Sequence, residues 1–434
     1  MDPVVIGLIG TAVFLILVML GVWVSFAAVT VGLIGIIIFK GMGTATGVAG
    51  FLPYTVTASF EFSVIPMFII MGYFAHYGGI TRNLFDAGCK WVGHYPGGLA
   101  MATTFACAGF GACSGSSTAA AAVMGKVAIP EMMRYNYDPK LAAGCVASAG
   151  TLAVMIPPST VMVIYGVITE QSIGRLLIGG IFPGIVCAFL IAITVYIWCK
   201  LKPTAGAALP RATWKERFAS LKGIWAVLLL ALSVIGGIYS GIFTPTEAGG
   251  MAAFVALIIA VATRQLTWAN FKQALLDTGK ATAMIFITLM GILVLLRFLA
   301  LSGTITYFVD AMIGLPLPPL GIMIVIIVIY FILGMFVSAT GMMVLTLPAI
   351  FPVVMNLGYD PIWFGILVTA LCEIAFVTPP VAMNLYAVKA SAPEISTVDI
   401  TRGILPFLVT LVVFVIILVA FPQLATWLPA TMKK

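Results

Sequence analysis

Two short stretches place hydroxyls and bare carbonyls where a mostly apolar chain would otherwise carry bulky side chains. One is "FGACSGSSTAAAA", Phe110 to Ala122, and the other is "GMFVSATGMM", Gly334 to Met343. Each is followed by a proline dipeptide, Pro157-Pro158 and Pro379-Pro380. Proline has no N–H and its ring clashes with the preceding turn, so a helix breaks there and leaves carbonyls without intrahelical partners. Met155, Ile156, Val377 and Thr378 carry the candidate carbonyls. Neutral oxygens suit a hard cation, and Ser116, Thr118, Ser338 and Thr340 supply hydroxyl or main-chain oxygens to close each cage. A monovalent ion held this way needs no carboxylate. The same breaks create helix N-termini near 117–119, 159–160, 341–342 and 381–384, whose free N–H groups and dipoles favour an anion. Asn384, one turn into the second broken helix, is placed to donate or accept at a substrate. The pattern implies two cation cages with an anion pocket between them. Taken singly, a small-residue stretch is also a close-packing device and a proline pair is also a kink; their paired occurrence is what points to a site.

The pairing follows an internal repeat with a single offset of 222 residues. Pro130 matches Pro352, "YDP" at 137–139 matches "YDP" at 359–361, and the two proline pairs match. The same offset lays "SST" (116–118) over "SAT" (338–340) without a gap. Residues 1–202 form the first repeat, 203–222 a basic linker, and 223–434 the second repeat.

The elements that must position these residues are membrane helices. The chain is 62% hydrophobic and 8% charged, and its mean hydropathy of +1.19 lies outside the soluble range. Apolar runs long enough to cross about 30 Å of hydrocarbon recur from end to end. Spans are expected near 3–20, 22–39, 63–78, 140–169 and 175–199, and near 223–240, 246–263, 281–299, 361–391 and 403–422. Segments 98–134 and 318–356 are each interrupted by a small polar stretch, which reads as a re-entrant hairpin. The expectation is an all-α polytopic membrane protein with two inverted repeats, each of five spanning helices plus one hairpin. An odd number of crossings per repeat inverts the second relative to the first.

Charge supports that inversion. With both termini on the periplasmic side, sixteen of the 21 Lys/Arg fall on the cytoplasmic side, and the exceptions are Lys40, Arg175, Arg297, Lys433 and Lys434. Net charge of +7 is thus read as basic membrane loops, not a nucleic-acid surface. "TWKERF" and 267–280 read as short interfacial helices. Seven scattered cysteines without a CxxC pair read as buried small hydrophobes. Three charges lie in or near apolar segments: Glu373, a candidate proton or substrate group; Glu247, a helix N-terminal charge in "FTPTEAGG"; and Arg297, able to snorkel. Paired hairpins and broken helices in inverted repeats point to a secondary transporter with its site near the midplane. "CSGS" as a serine-protease nucleophile has no oriented histidine, since His76 and His94 both precede it.

The motifs "ACSGSSTAAAAVMGKVAIPEMMRYNYDPKLAAGCVASAGTLAVMIPPS", "GIFTPTEAGGMAA" and "TPPVAMNLYAVKA" resemble the large membrane subunit of tripartite ATP-independent periplasmic (TRAP) transporters. The resemblance covers essentially the whole chain. It implies an elevator: a fixed scaffold and a mobile domain carrying both hairpins and both broken helices. It also implies bacterial inner-membrane localisation, sodium coupling with two Na⁺, a small four-helix membrane subunit, a periplasmic substrate-binding protein and an organic-acid substrate, with no enzymatic activity or other cofactor. Carried onto this chain, the Na⁺ sites fall at Ser114, Gly115 and Ser116 with Met155 and Pro157, and at Ser338, Thr340 and Gly341 with Val377, Thr378 and Pro379. Substrate contacts are expected from Ser116, Ser159, Ser338, Thr340 and Asn384. Helices near 3–39, 175–199, 223–263 and 403–422 are left as scaffold. Loops 40–62, 170–174 and 300–317 and the C-terminal "PQLATWLPATMKK" are too short to capture substrate themselves. The other transporter class compatible with these residues is a self-sufficient ion-coupled dicarboxylate-type elevator without partner subunits.

Overall fold

The computed structural model describes residues 2–432, so Lys433 and Lys434 lie outside the described residues. All regular structure among the described residues is helical. The two segments expected as hairpins are each a pair of helices, Gly98–Ser114 with Ser117–Arg134 and Pro319–Gly334 with Ala339–Asn356. Both proline pairs break helices: Pro139–Ala149 and Leu152–Met155 give way to Thr160–Ile168, and Pro361–Val377 gives way to Met383–Ser391. The first pair bends by 43° at its break.

The 222-residue offset reaches the local chemistry. Asp138 and Asp360 each cap a helix that has proline at its first position. Asp138 accepts from Lys140 N at 3.0 Å, and Asp360 from Ile362 N and Trp363 N at 2.8 and 2.9 Å. Asn136 (φ 56°) and Gly358 (φ 79°), the matched residues two before each cap, both take left-handed backbone.

Among the described residues, seven helices are long and apolar enough to cross a membrane, or eight with the bent pair counted as one span, where ten crossings are expected from sequence. One of the seven is Ala339–Asn356, an arm of the second expected hairpin, so six helices and the bent pair match expected crossings, and the other three expected crossings are cut short by breaks. Pro3–Met19, Val24–Lys40 and Pro361–Val377 each stop at 17 residues, about 25 Å of helix at 1.5 Å per residue. Gly41 at φ 84° ends the second of these, and Pro379-Pro380 ends the third.

Four segments expected to be loops or separate pieces are helical. Met42–Ala58 and Thr304–Ile313 are helices inside expected loops, and Gln423–Ala430 is a helix in the C-terminal stretch. Segment 267–280 is not a separate interfacial helix. With no proline between them, it runs straight into the following span as one helix, Trp268–Leu301. "TWKERF" does open a short helix, Trp214–Leu221, closed at its start by a Thr213/Glu216 capping box.

Packing divides the helices into two groups. In one, Val24–Lys40 lies along Trp268–Leu301, and Val64–Tyr77 lies along Pro245–Ala262. These two pairs exchange under the 222-residue shift. The close approach depends on glycine: a Cβ on Gly291 would sit 2.5 Å from the Ser25 carbonyl oxygen. The other group gathers the hairpins, the broken helices, and the helices Ile181–Leu201 and Thr397–Ala420. The last two were expected in the scaffold. They pack instead on the hairpin and broken-helix core, because Gly144 and Gly403 let Thr397–Ala420 and Pro139–Ala149 meet backbone to backbone. The groups meet where Val64–Tyr77 packs on the first hairpin and Trp268–Leu301 packs on the second.

Candidate ion and substrate site

The first hairpin reverses in two residues. Gly115 leaves the helix in left-handed backbone (φ 60°), and extended Ser116 caps the next helix, its Oγ accepting from Ala119 N at 3.4 Å. Glycine is required at 115 for a second reason: a Cβ there would lie 2.7 Å from the Pro158 carbonyl oxygen. Thr160 Oγ1 donates to the Gly115 carbonyl at 3.2 Å, joining the hairpin tip to the far side of the break. One turn earlier, a Cβ on Gly111 would be 2.6 Å from Ala153 Cα, so the hairpin also lies directly on the turn that ends in Met155. The tip Ser114–Ser116 thereby lies on the break that follows Met155, against Pro158 and Thr160. Pro157 and Pro158 supply no N–H, which leaves the Ala153 and Val154 carbonyls without the usual donor four residues on. Gly180 lies against the Met155 carbonyl, where a Cβ would come within 2.5 Å of its oxygen. Ser114 Oγ is buried and has no hydrogen-bond partner.

The second hairpin makes the same meeting with different parts. Residues 335–338 form a longer tip, and Ser338 Oγ accepts from Gly341 N at 3.3 Å. Val381 N donates to the Met335 carbonyl at 3.3 Å, again joining tip to break. Thr378 Oγ1 donates to the Ile374 carbonyl at 2.7 Å and keeps its lone pairs. Val377 and Gly341 are buried, while Thr340 and Pro379 are half-buried beside them in sequence. Both Pro–Pro bonds are cis.

Ser114, Ser116 and Thr160 line a cavity of about 130 Å³. Its opposite wall comes from Val64–Tyr77 and Trp268–Leu301, through Gly72, Tyr73, His76 and Ala281. His76 Nδ1, in this wall, is a second buried atom without a partner. Two of the expected substrate residues sit elsewhere. Ser159 is fully buried and its Oγ accepts from Met162 N at 3.3 Å, so in this conformation it is a helix cap. Asn384 is also fully buried, donating from Nδ2 to Ser117 Oγ and to the Ala147 carbonyl, both at 2.8 Å. It ties the second broken helix to the first hairpin and the first broken helix. From sequence, positions 117 and 160 fall within the expected helix N-termini, with no role for the side chains of Ser117 and Thr160. Both follow directly on expected site residues, Ser116 and Ser159, so the run of hydroxyls was the available signal.

Glu373 lies in the same group of helices, fully buried. Its Oε2 meets Cys187 Sγ at 3.8 Å, and its Oε1 has no partner. Glu247 is the helix-terminal charge expected of it: Oε2 accepts from Thr244 N at 2.8 Å and from the Thr244 hydroxyl at 2.9 Å. Arg297 is exposed.

Comparison with known proteins gives these features a family. The family model described as "Tripartite ATP-independent periplasmic transporter, DctM component" matches residues 11–424. The C4-dicarboxylate TRAP transporter large permease protein DctM of Pseudomonas aeruginosa is 37% identical over 84% of this chain and 85% of its own. The isethionate TRAP transporter permease protein DctMQ of Oleidesulfovibrio alaskensis is 33% identical over 90% of this chain and 63% of its own. Among solved structures, the Alcanivorax borkumensis YdaH transporter has a similar fold, with a TM-score of 0.61, 14% identity and 86% of each chain covered. The chain belongs to the DctM component family of tripartite ATP-independent periplasmic transporters, membrane proteins of transport and not enzymes.

Proposed function

We propose that this chain is the large subunit of a Na⁺-coupled importer that moves a small organic acid across the bacterial inner membrane by an elevator motion. The observation that carries the reading is the twice-repeated contact of a hairpin tip with a proline break, Gly115 with Thr160 and Met335 with Val381. Each contact gathers neutral oxygens and no carboxylate, a donor set suited to Na⁺ as a transported ion. Ser114, Gly115 and Ser116 with Met155 and Pro157 hold one ion, and Ser338, Thr340 and Gly341 with Val377, Thr378 and Pro379 hold the other. The acid binds between them, near the helix N-termini at Ser116 and Ser338. The curated relatives named for C4-dicarboxylates and isethionate support a carboxylate or sulfonate.

The hairpin and broken-helix group moves as one body, carrying Ile181–Leu201 and Thr397–Ala420 with it. The remaining helices, enlarged by a small four-helix subunit, stay fixed, and a periplasmic binding protein delivers the acid. The repeats are inverted, the hairpins are re-entrant, and both termini face the periplasm.

With two Na⁺ per monoanion, one net charge crosses, worth about 2.3 kcal/mol at 100 mV. Each tenfold Na⁺ gradient adds about 1.4 kcal/mol per ion. The sum, about 5 kcal/mol, sustains accumulation on the order of several thousandfold without ATP. In proteoliposomes holding the chain, its small subunit and its binding protein, replacing Na⁺ by K⁺ should abolish uptake; undiminished uptake in K⁺ would overturn the coupling. Robust uptake by the chain alone would favour the self-sufficient elevator. Orientation has its own test. Arg134 and Asn356 are exposed and separated by the 222-residue offset, so cysteines placed there should label from opposite faces of the membrane. Labelling from one face would sink the inverted repeat. Tyr137, though at a matched position, is only 2% exposed and unsuited to the test.

A further inference from the structure

A second, larger space opens next to the cavity at the first hairpin tip. It has a volume of about 870 Å³ and is lined by Arg82, Lys90, Lys126, Arg134 and Arg211 against the acids Asp86, Glu131 and Glu216. Lys90 is paired with Glu216 at 3.6 Å and Arg134 with Glu131 at 4.0 Å. Among the described residues, Arg82, Lys126 and Arg211 have no ion pair, so the vestibule carries a positive surplus.

The two spaces share one wall. Ser116, Ala119 and Val123 line the cavity, and Lys126, Val127, Glu131 and Arg134 line the vestibule. Steps of three and four residues put all of these on one face of the helix Ser117–Arg134 and its cap. The face turned away from it, with Ala121, Ala128 and Met132, is fully buried. The polar end of the face is the cavity, where Ser114 Oγ and His76 Nδ1 are both buried without partners. The basic end is the vestibule.

We propose that this helix face is a continuous anion route between the first hairpin tip and the membrane surface at Arg134, with Ser114 and His76 at its inner end. It rests on the orientation and anionic substrate given under Proposed function, and names the path by which the substrate leaves. Field lines from the surplus cations focus in such a cleft and raise the local anion concentration. Ser114 belongs to the hairpin body and His76 to the helices it packs against, so the inner end is assembled from both bodies. A relative slide would separate the two groups, so the shared inner end is specific to this conformation.

Charged thiol reagents test the route without knowledge of the substrate. Cys89 lines the vestibule and is half-buried, while the other six cysteines are buried, so the background is the full-length chain with Cys89→Ala in oriented vesicles. Ala119→Cys, Val123→Cys and Val127→Cys should react with a sulfonate methanethiosulfonate added on the Arg134 side, whereas Ala121→Cys and Ala128→Cys should not. After normalisation to free cysteine, the sulfonate reagent should outpace the trimethylammonium reagent about fivefold at low salt. That preference should fall toward one at high salt and with Arg82→Gln and Lys126→Gln together. Equal labelling of both faces, silence at all five positions, or a preference for the cationic reagent would overturn the route. The same pattern and preference seen from the opposite side would support the route and overturn the orientation.

Discussion

The two halves solve one geometrical problem with unequal means. In the first, a two-residue tip is pressed onto the proline break so closely that only glycine fits at 115. In the second, a four-residue tip reaches its break through a single backbone hydrogen bond, and the far side is open enough that Pro380 and Met383 are exposed. Side chains diverge further. Asn384 corresponds to Met162 under the 222-residue offset, and Glu373 corresponds to Thr151. The repeat therefore duplicates a backbone device, the oxygen-lined break, while the polar side chains around it are not duplicated. An arrangement of that kind suits two similar ion cages flanking one asymmetric pocket.

Gly115→Ala should separate the halves most strongly. It forces an alanine into left-handed backbone against the Pro158 carbonyl, at a cost of about 1–3 kcal/mol, and should reduce uptake at least tenfold. At Gly341, in ordinary helical backbone, a Cβ would meet side-chain atoms first, Val337 Cγ1 nearest at 2.9 Å, and no backbone as close. Gly341→Ala should cost less than about 1 kcal/mol. Thermal unfolding with parallel uptake assays ranks the two, and an equal loss would show that the tips are equally constrained.

Asn384→Ala should come next. It strips partners from Ser117 Oγ and the Ala147 carbonyl in a fully buried place, worth about 1–3 kcal/mol. The volume-conserving Met162→Leu at the matched position should cost less than about 1.5 kcal/mol. If Asn384→Ala left the unfolding temperature unchanged while raising the substrate concentration needed for half-maximal uptake, the residue would be a substrate contact and not a cross-tie.

The smallest effect concerns the matched caps. Burial pushes the Asp138 carboxyl up, but the Lys202 ammonium at 2.8 Å and the Lys140 N–H outweigh it and hold the group below the usual carboxylate range. A lowered folded value means that the contribution is complete above the ordinary carboxylate pKa and disappears as pH falls through the lowered value. Asp138→Asn keeps a capping oxygen and loses the ion pair, so it should cost about 0.5–1 kcal/mol at neutral pH and flatten the acid limb of stability. Unfolding followed across acidic pH in both proteins checks this, and an unchanged acid limb would remove Asp138 as its source.

The sequence by itself determined where helices break and where oxygens lie. Proline has no N–H wherever it falls, and the recurrence of "YDP", the serine tips and the proline pairs at one offset needs no structure to be seen. Glu247 was legible for the same local reason, since a capping box is written within four residues. Met42–Ala58 and Thr304–Ile313 were not, because glycine, threonine and a proline at 53 read as loop in one, and both are weaker apolar signals than a span. Partnership was decided only by the tertiary structure. Ile181–Leu201 and Thr397–Ala420 are as apolar as any scaffold helix, and nothing in their composition says which body they join. Asn384 finds Ser117 across 267 residues, and His76 shares a cavity with Ser114 through a helix–hairpin contact. Hydrophobicity places a helix in the membrane without choosing its neighbour, since lipid is as apolar as another helix. That choice falls to close fit at small residues and to the pairing of buried polar atoms, which exist only once the chain has folded.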